Sequence, residues 1–501
     1  MEYRQYRQYR PVATAITAAT LSVTLAACAV GPDYRTPAPP AGDRVTAEPM
    51  PEQTVAAPGP AGAAQRFVAQ HDIPGQWWAL FHCAPLNALI HEALSNSPTL
   101  VAARAVLRQA QENLNAEVGG ALFPSVDAQL GAARQKISGL TLGQSGTDQE
   151  FTLYNASVNV SYSLDLFGGA RRELEALRAQ VDYQRYQWQA AYLALTANLV
   201  TASIKEASLR AQIKANEKIA SDQEDQLDLL TRQFKLGGVN QFAVLAQRSV
   251  LAQTRANLPP LQQSLAQTRH QIAVLAGKSP ADDSLPQFTL SDFSLPRTLP
   301  LSLPSELVRR RPDILAADAL LHQASARIGV ATAAMYPQLN LSASYGTAAL
   351  TATGAFSAAN SIWSITGGLL QPLFHGGQLS ARKRAAVAVY DQAAAQYRQT
   401  VLLAFQNVAD ALRALDNDAR ALAAQSAAAS AAHDSLALSQ NQYRLGAVSY
   451  LALLDAQRQY QQTAVSLVQA QAARYADTAA LFQAVGGGWW NAPQGLVEKN
   501  Q

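Results

Sequence analysis

Cysteine is almost missing: Cys28 and Cys83 are the only two in 501 residues. Cys28 falls in an N-terminal processing signal, so no intrachain disulfide is available, and Cys83 reads as a buried small apolar residue. Long apolar runs are missing too. Hydrophobic residues make up 49% of the chain, yet much of that is alanine. Nothing after the N-terminal segment approaches the roughly 18 uninterrupted apolar residues of a membrane helix. If a membrane is engaged, strands or lipid must engage it. Charge of one sign is also lacking: a net charge of +3 gives no case for a nucleic-acid or polyanion partner. No nucleophile elbow, P-loop or dinucleotide fingerprint occurs. The histidines, at 71, 82, 91, 270, 322, 375 and 433, show no metal-ligand spacing beyond a loose grouping of His82, Cys83 and His91. Neither an enzyme nor a metal or other cofactor is expected.

One further absence is constructive. No proline interrupts residues 169–236, and a helix of that length would reach about 100 Å. Within it Leu174, Leu177, Val181, Gln184, Trp188, Ala191 and Leu195 step by three and four, the heptad spacing of a coiled coil. An extra step of four, Leu195 to Leu199, then relaxes the supercoil. A second stretch, from Val401 through Phe405, Val408, Leu412, Leu415, Ala419 and Leu422, carries the same stutter near its start.

The match between those stretches is part of a whole-chain duplication. Phe123-Pro124, Leu166-Phe167-Gly168-Gly169, Lys235-Leu236-Gly237-Gly238-Val239 and Gly277 recur in order. Their counterparts are Tyr336-Pro337, Leu373-Phe374-His375-Gly376-Gly377, Arg444-Leu445-Gly446-Ala447-Val448 and Gly486. A repeat this long is a duplicated structural half rather than a solenoid unit.

In each half a period-two pattern lies between helices. Val126, Ala128, Leu130 and Ala132 alternate with polar residues, as do Ala156, Val158, Val160 and Tyr162, and then Leu339, Leu341, Ala343 and Tyr345. Residues 362–373 complete four strands, each pair joined by a Gly-rich loop, residues 138–147 in the first half. Each long helix then ends at a glycine turn and returns as a shorter helix, over residues 239–276 and 448–485. Gly237, Gly238 and Gly446 suit the positive φ of such reversals, and Pro259-Pro260 predicts a kink in the first return helix. Four amphipathic strands cannot close a barrel, whereas three chains would supply twelve. Alternation alone leaves open a soluble β-layer packed on helices.

The N-terminus favours the membrane. Arg4, Arg7 and Arg10, an apolar segment, and Leu25-Ala26-Ala27-Cys28 follow the pattern of a bacterial lipoprotein signal. Cleavage would leave an acylated Cys28 as the first mature residue; an ordinary secretory signal with an incidental cysteine is the alternative. The expected organisation is a signal peptide over 1–27, an acylated tether over 28–84, a first repeat over 85–277, an equatorial linker over 278–303, a second repeat over 304–486 and a tail over 487–501.

Several motifs together resemble one family. They are Cys28 with Val30-Gly31-Pro32-Asp33-Tyr34, Leu303-Pro304-Ser305-Glu306-Leu307, Arg309-Arg310-Arg311-Pro312-Asp313, Leu373-Phe374-His375-Gly376-Gly377, Tyr443-Arg444-Leu445-Gly446, Tyr450 through Gln457, and Val485-Gly486-Gly487-Gly488-Trp489. In that order they are similar to the TolC-like outer-membrane efflux factors, in their OprM and NodT-like lipoprotein branch. The resemblance implies an α+β fold: a homotrimeric 12-stranded outer-membrane β-barrel, four strands per chain, continued by a 12-helix periplasmic α-barrel with a mixed equatorial region. It implies the exit duct of a tripartite efflux pump for drugs or other toxic small molecules. The partners would be a periplasmic membrane-fusion adaptor and an inner-membrane transporter of the resistance-nodulation-division type. The only covalent addition would be the lipid on Cys28.

The resemblance further implies adaptor contact at the glycine turns, through Lys235, Leu236, Gly237, Val239, Arg444, Leu445, Gly446, Val448 and Ser449. It matches Leu451 and Asp455 to rings that close the duct and Arg444 to a latch. Leu451 and Asp455 share a helix face, and three carboxylates about one axis would repel one another and attract cations. The first half has Leu245-Ala246 where the second has Leu454-Asp455, which points to the second-half helices as the moving part. A duct for type I protein secretion and a structural coiled-coil envelope lipoprotein are the competing readings.

Overall fold

The computed structural model describes residues 29–38, 44–69, 71–138, 148–301 and 304–491; Cys28 and most of the loop 138–147 lie outside them. Its elements follow the repeat. A strand β1 (Arg66–Ala69) precedes helices α1 (Ala84–Asn96) and α2 (Pro98–Leu122), strands β2 (Ser125–Ile137) and β3 (Gln149–Leu164), and the long helix α3 (Gly169–Lys235). Helices α4 (Gln241–Ala256) and α5 (Leu258–Leu275) return, and strand β4 (Thr298–Leu301) leads to the second half. That half comprises α6 (Pro304–Arg310), α7 (Pro312–Ala333), β5 (Gln338–Ala349), β6 (Ser361–Leu370), the long helix α8 (Gln378–Arg444) and α9 (Tyr450–Ala484). Both long helices run 67 residues.

The chain forms two compact units. Among the described residues the first holds 29–37, 106–184 and 316–397. Its sheet has the order β2-β3-β5-β6, antiparallel throughout, so the two halves join at β3 and β5. The register carries the period-two pattern across all four strands. Val126 lies opposite Val160, Val158 opposite Tyr345 and Tyr345 opposite Trp363, which makes one continuous apolar face. Asp127 opposite Asn159, Asn159 opposite Ser344 and Ser344 opposite Ser364 make the other face polar, closed by a 2.8 Å hydroxyl bond in the last pair. The apolar face is bare: Ile365 is 79% exposed, and Leu130, Trp363 and Leu369 are also exposed. The last strand stops at Leu370, short of the expected Leu373, whose side chain stands free with Phe374.

The second unit, residues 38–105, 185–315 and 398–501, holds the larger core. Trp77, Trp78, Phe81 and Phe482 are fully buried there, with Trp77 stacked on Phe482 at 5.5 Å. The expected coiled-coil seam is the buried side of both long helices, from Trp188, Leu195 and Leu199 to Leu230, and from Val401 to Leu422. The tether hides more than its composition suggests. Thr54 and Gln65 are buried, and β1 pairs in parallel with β4, a two-stranded sheet whose four-residue strands are too short to show a period. Arg474 explains the tether's grip: its buried guanidinium donates to Gln65 Oε1 at 2.9 Å and to the Ala63 carbonyl at 3.1 Å.

At Pro259-Pro260 the return helix is interrupted at one residue, Asn257, which itself keeps right-handed helical angles. Asn257 ends α4, and α5 begins at Leu258 with proline in its first turn, where the missing N–H is unneeded. The equivalent α9 has no such prolines and is continuous over 35 residues.

Candidate functional site: the helix reversals

Both long helices end by the same hydrogen-bond device. The amide of Gly237 donates to the Phe234 carbonyl and that of Gly238 to Gln233, at 3.0 and 2.8 Å. In the second half Gly446 donates to Tyr443 and Ala447 to Gln442, at 3.0 and 2.9 Å. These are Schellman motifs, which require a left-handed residue at the first position only. Gly237 has φ +79° and Gly446 φ +75°, whereas Gly238 has no positive φ. The expectation that Gly238 supplies one is therefore corrected, and alanine at the equivalent position 447 follows from the same geometry.

The chain then enters the return helices through matched caps. Asn240 Oδ1 accepts from the Ala243 amide at 3.1 Å, and Ser449 Oγ accepts from the Ala452 amide at 3.3 Å. Ser449 thus has a helix-starting role that the motif comparison did not anticipate. Lys235 and Arg444 occupy the last turns of α3 and α8, where a cation complements the helix dipole.

Between those caps the reversals present apolar side chains to solvent. Leu236 is 87% and Leu445 84% exposed, with Val239 and Val448 half-buried beside them. Beneath this surface Leu230, Ala243 and Val244 form a small core, covered by Val239, Tyr443 and Tyr450. The two reversals are tied together. Tyr443 and Tyr450 rings lie 5.6 Å apart, the Tyr450 hydroxyl donates to Gln247 Oε1 at 2.5 Å, and Gln247 Nε2 donates to the Gln223 carbonyl at 2.9 Å. Burial first, then the neighbouring Tyr443, pushes the Tyr450 phenol well above its ordinary range, so it stays a donor. Sequence reasoning missed this tie, because position 456, the repeat equivalent of Gln247, is an alanine and no motif marks the pair.

Leu451 and Asp455 lie on one exposed face of the first two turns of α9, and the Asp455 carboxylate is 3.6 Å from Arg458. Arg444 bonds Asn441 one turn back. Among the described residues the structure therefore brings Leu451 and Asp455 together but gives Arg444 no carboxylate of its own chain. Their first-half counterparts, Phe242 and Ala246, with the exposed Leu245 beside them, offer an apolar face without charge. Among the described residues no group of three histidine, cysteine or carboxylate side chains is placed to hold a metal, and no helix is long and apolar enough to cross a membrane.

A duplicated chain with one bare apolar sheet face, and paired long helices ending in exposed reversals, has the form of a membrane-embedded channel subunit. The family comparison agrees: residues 89–278 and 303–487 match the outer membrane efflux protein family, and the chain belongs to it. Among curated relatives it is 30% identical over 476 residues to the pyoverdine export outer membrane protein OpmQ of Pseudomonas putida, covering 94% of this chain and 96% of that protein. It is 28% identical to the cation efflux system protein CusC of Escherichia coli, over 94% and 97% of the two chains. The solved outer-membrane channel OprN superposes with a TM-score of 0.82 at 30% identity, over 92% of this chain and all of that one. The fold class read from the sequence holds: an α+β chain that gives four strands to a homotrimeric barrel and extends it in long helices. So does its role as an outer-membrane efflux channel.

Proposed function

We propose that this outer-membrane efflux protein is a passive, periplasmically gated duct for small toxic molecules, anchored by a lipid on Cys28. A periplasmic adaptor would join it to an inner-membrane transporter, whose energy drives export. The observation that carries this reading is the asymmetry of the two reversals. Both halves share the Schellman turn and the cap, which suits an adaptor surface repeated six times around a trimer. Only the second half adds Asp455 to the exposed face that holds Leu451, which suits a constriction of three carboxylates and three leucines. Lys235, Leu236, Gly237, Val239, Arg444, Leu445, Gly446, Val448 and Ser449 then form the adaptor contact. Arg444, which meets no carboxylate of its own copy among the described residues, would latch onto a neighbouring one.

The test is electrical. Purified protein in planar bilayers should show low conductance at rest, and Leu451→Ala combined with Asp455→Ala should raise it several-fold, with a matching rise in uptake of large antibiotics by cells. If the double variant conducts like the parent, the gate assignment is wrong. The substrate class would follow from the transporter and adaptor genes that neighbour this one.

A further inference from the structure

A cavity of about 520 Å³ opens within the second unit, between the segment that follows β1, the short helix Trp77–Phe81 and the chain leading into β4. None of the residues assigned to the reversals lines it. Its apolar wall is Leu80, Leu295, Pro296 and Phe482, of which Pro296 and Phe482 are buried. Its rim carries His71, His82 and Arg297, all exposed. That combination of an apolar wall with a few polar groups at one side is the ordinary make-up of a small-molecule site.

The three rim side chains are unspent. Among the described residues Arg297 makes no ion pair and no side-chain hydrogen bond, although its carbonyl accepts from the Arg66 amide at 2.8 Å. The rings of His71 and His82 are likewise unbonded there. Asp72, the acid among the described lining residues, is already taken. The Ile73 amide and the Trp490 indole donate to its Oδ1 at 3.1 and 3.4 Å, and Asn491 Nδ2 donates to its Oδ2 at 2.9 Å. Burial works against its charge, but the bonds from Asn491, Trp490 and Ile73 and the charge of Arg310 outweigh that and lower its pKa. Asp72 is thus a carboxylate satisfied by its own neighbours, and it is not placed with the two histidines to hold a metal. The rim keeps free donors, one of them a guanidinium.

The backbone holds His82 in place at a cost. It is one of two non-glycine residues with positive φ among the described residues, at +51°, where its amide closes the short helix on the Ala79 carbonyl at 3.0 Å. Glycine would take that turn more easily. Beside it the Phe81 carbonyl accepts from the Ser294 amide at 2.8 Å, which fixes the His82 rim to the wall at Leu295. A side chain kept in a strained conformation by its surroundings is a mark of functional sites.

We propose that this cavity binds a small organic carboxylate with an apolar body. The carboxylate pairs with the Arg297 guanidinium, whose fork matches its two oxygens, and ring N–H groups of His71 and His82 donate to it. The body covers Leu80, Leu295 and Phe482. An anion without a body leaves that wall wet, and a neutral body leaves the guanidinium unpaired. The site does not depend on the duct reading, since it uses none of the reversal residues.

Calorimetric titration of the full-length protein in lipid nanodiscs with 2-naphthoate should show saturable binding of one molecule per chain. Neutral 2-naphthamide and bodiless acetate should each bind at least about tenfold more weakly. Arg297→Ala should weaken naphthoate by about tenfold or more, the loss expected of one charge-assisted pair; the exposed side chain goes while the structural carbonyl stays. His82→Gly is the second variant. Glycine keeps the left-handed turn, so a fall in affinity without a fall in melting temperature assigns the ring rather than the fold. Absence of binding, equal binding of naphthoate and naphthamide, uptake that empty nanodiscs reproduce, or an affinity that survives both substitutions overturns the site.

Discussion

Single residues carry the clearest consequences of the duplication. At the reversals the left-handed positions are Gly237 and Gly446, and a side chain there adopts a backbone that costs roughly 1 kcal/mol or more. Gly237→Ala and Gly446→Ala should each lower stability by about that amount in denaturant unfolding. Gly238→Ala should change little, because Ala447 already fills its equivalent. A second prediction concerns Asp477. Burial foremost, and then Asp418 beside it, raise its carboxyl from 3.8 to about 8, against an opposing pull from Arg474. Between those values the folded chain holds a proton that the unfolded chain has released, so this residue's contribution to stability falls as pH rises and is lost above the folded value. Asp477→Asn should therefore raise the melting temperature relative to the parent by clearly more at pH 8.5 than at pH 5.

Elements differ in how far the sequence disclosed them. The long helices were legible from missing proline and a heptad seam, and the seam is buried as that spacing requires. The sheet was legible from alternation, because its register keeps apolar residues opposite apolar ones across four strands. The β1 and β4 pair was not legible. Four residues are too few to show a period, and its partners lie more than two hundred residues apart. The break at Asn257 was legible as a kink from Pro259-Pro260 but not as a boundary between helices. At the site, the glycine turns and the Leu451 and Asp455 face could be read from motif and spacing. The Tyr450 to Gln247 tie could not, since it joins the two halves through side chains whose repeat equivalents differ. The caps give a further expectation at this scale: Asn240→Ala and Ser449→Ala should each cost about 1 kcal/mol, the usual loss for an N-cap. Calorimetry of the assembled channel should register both.

For the whole molecule, the sheet cannot be a resting state in one copy. Its outer strands β2 and β6 present unpaired backbone and its apolar face is bare, so the single chain lacks both the neighbours and the solvent its surface suits. Stability measured in detergent should rise with protein concentration, as it must when folding and association are coupled. The N-terminal segment adds a constraint within the first unit. The Val30 amide donates to the Phe167 carbonyl at 3.0 Å, the Asp33 carboxylate meets Arg172 at 2.7 Å, and the Tyr34 hydroxyl donates to Asp318 at 2.5 Å. Gly31 and Gly329 touch so closely that a Cβ on Gly31 would stand 2.4 Å from the Gly329 backbone. Gly329→Val should release this segment, measured as new protease cleavage before Tyr34 with the rest of the chain intact.

That clamp has a mechanical meaning. Ala29 rests against Gly168, at the junction where β3 gives way to α3. The described chain thus begins pinned at the foot of the strands rather than as a free tail, so a pull on its first residues would be borne by the base of the sheet and not by a slack tether.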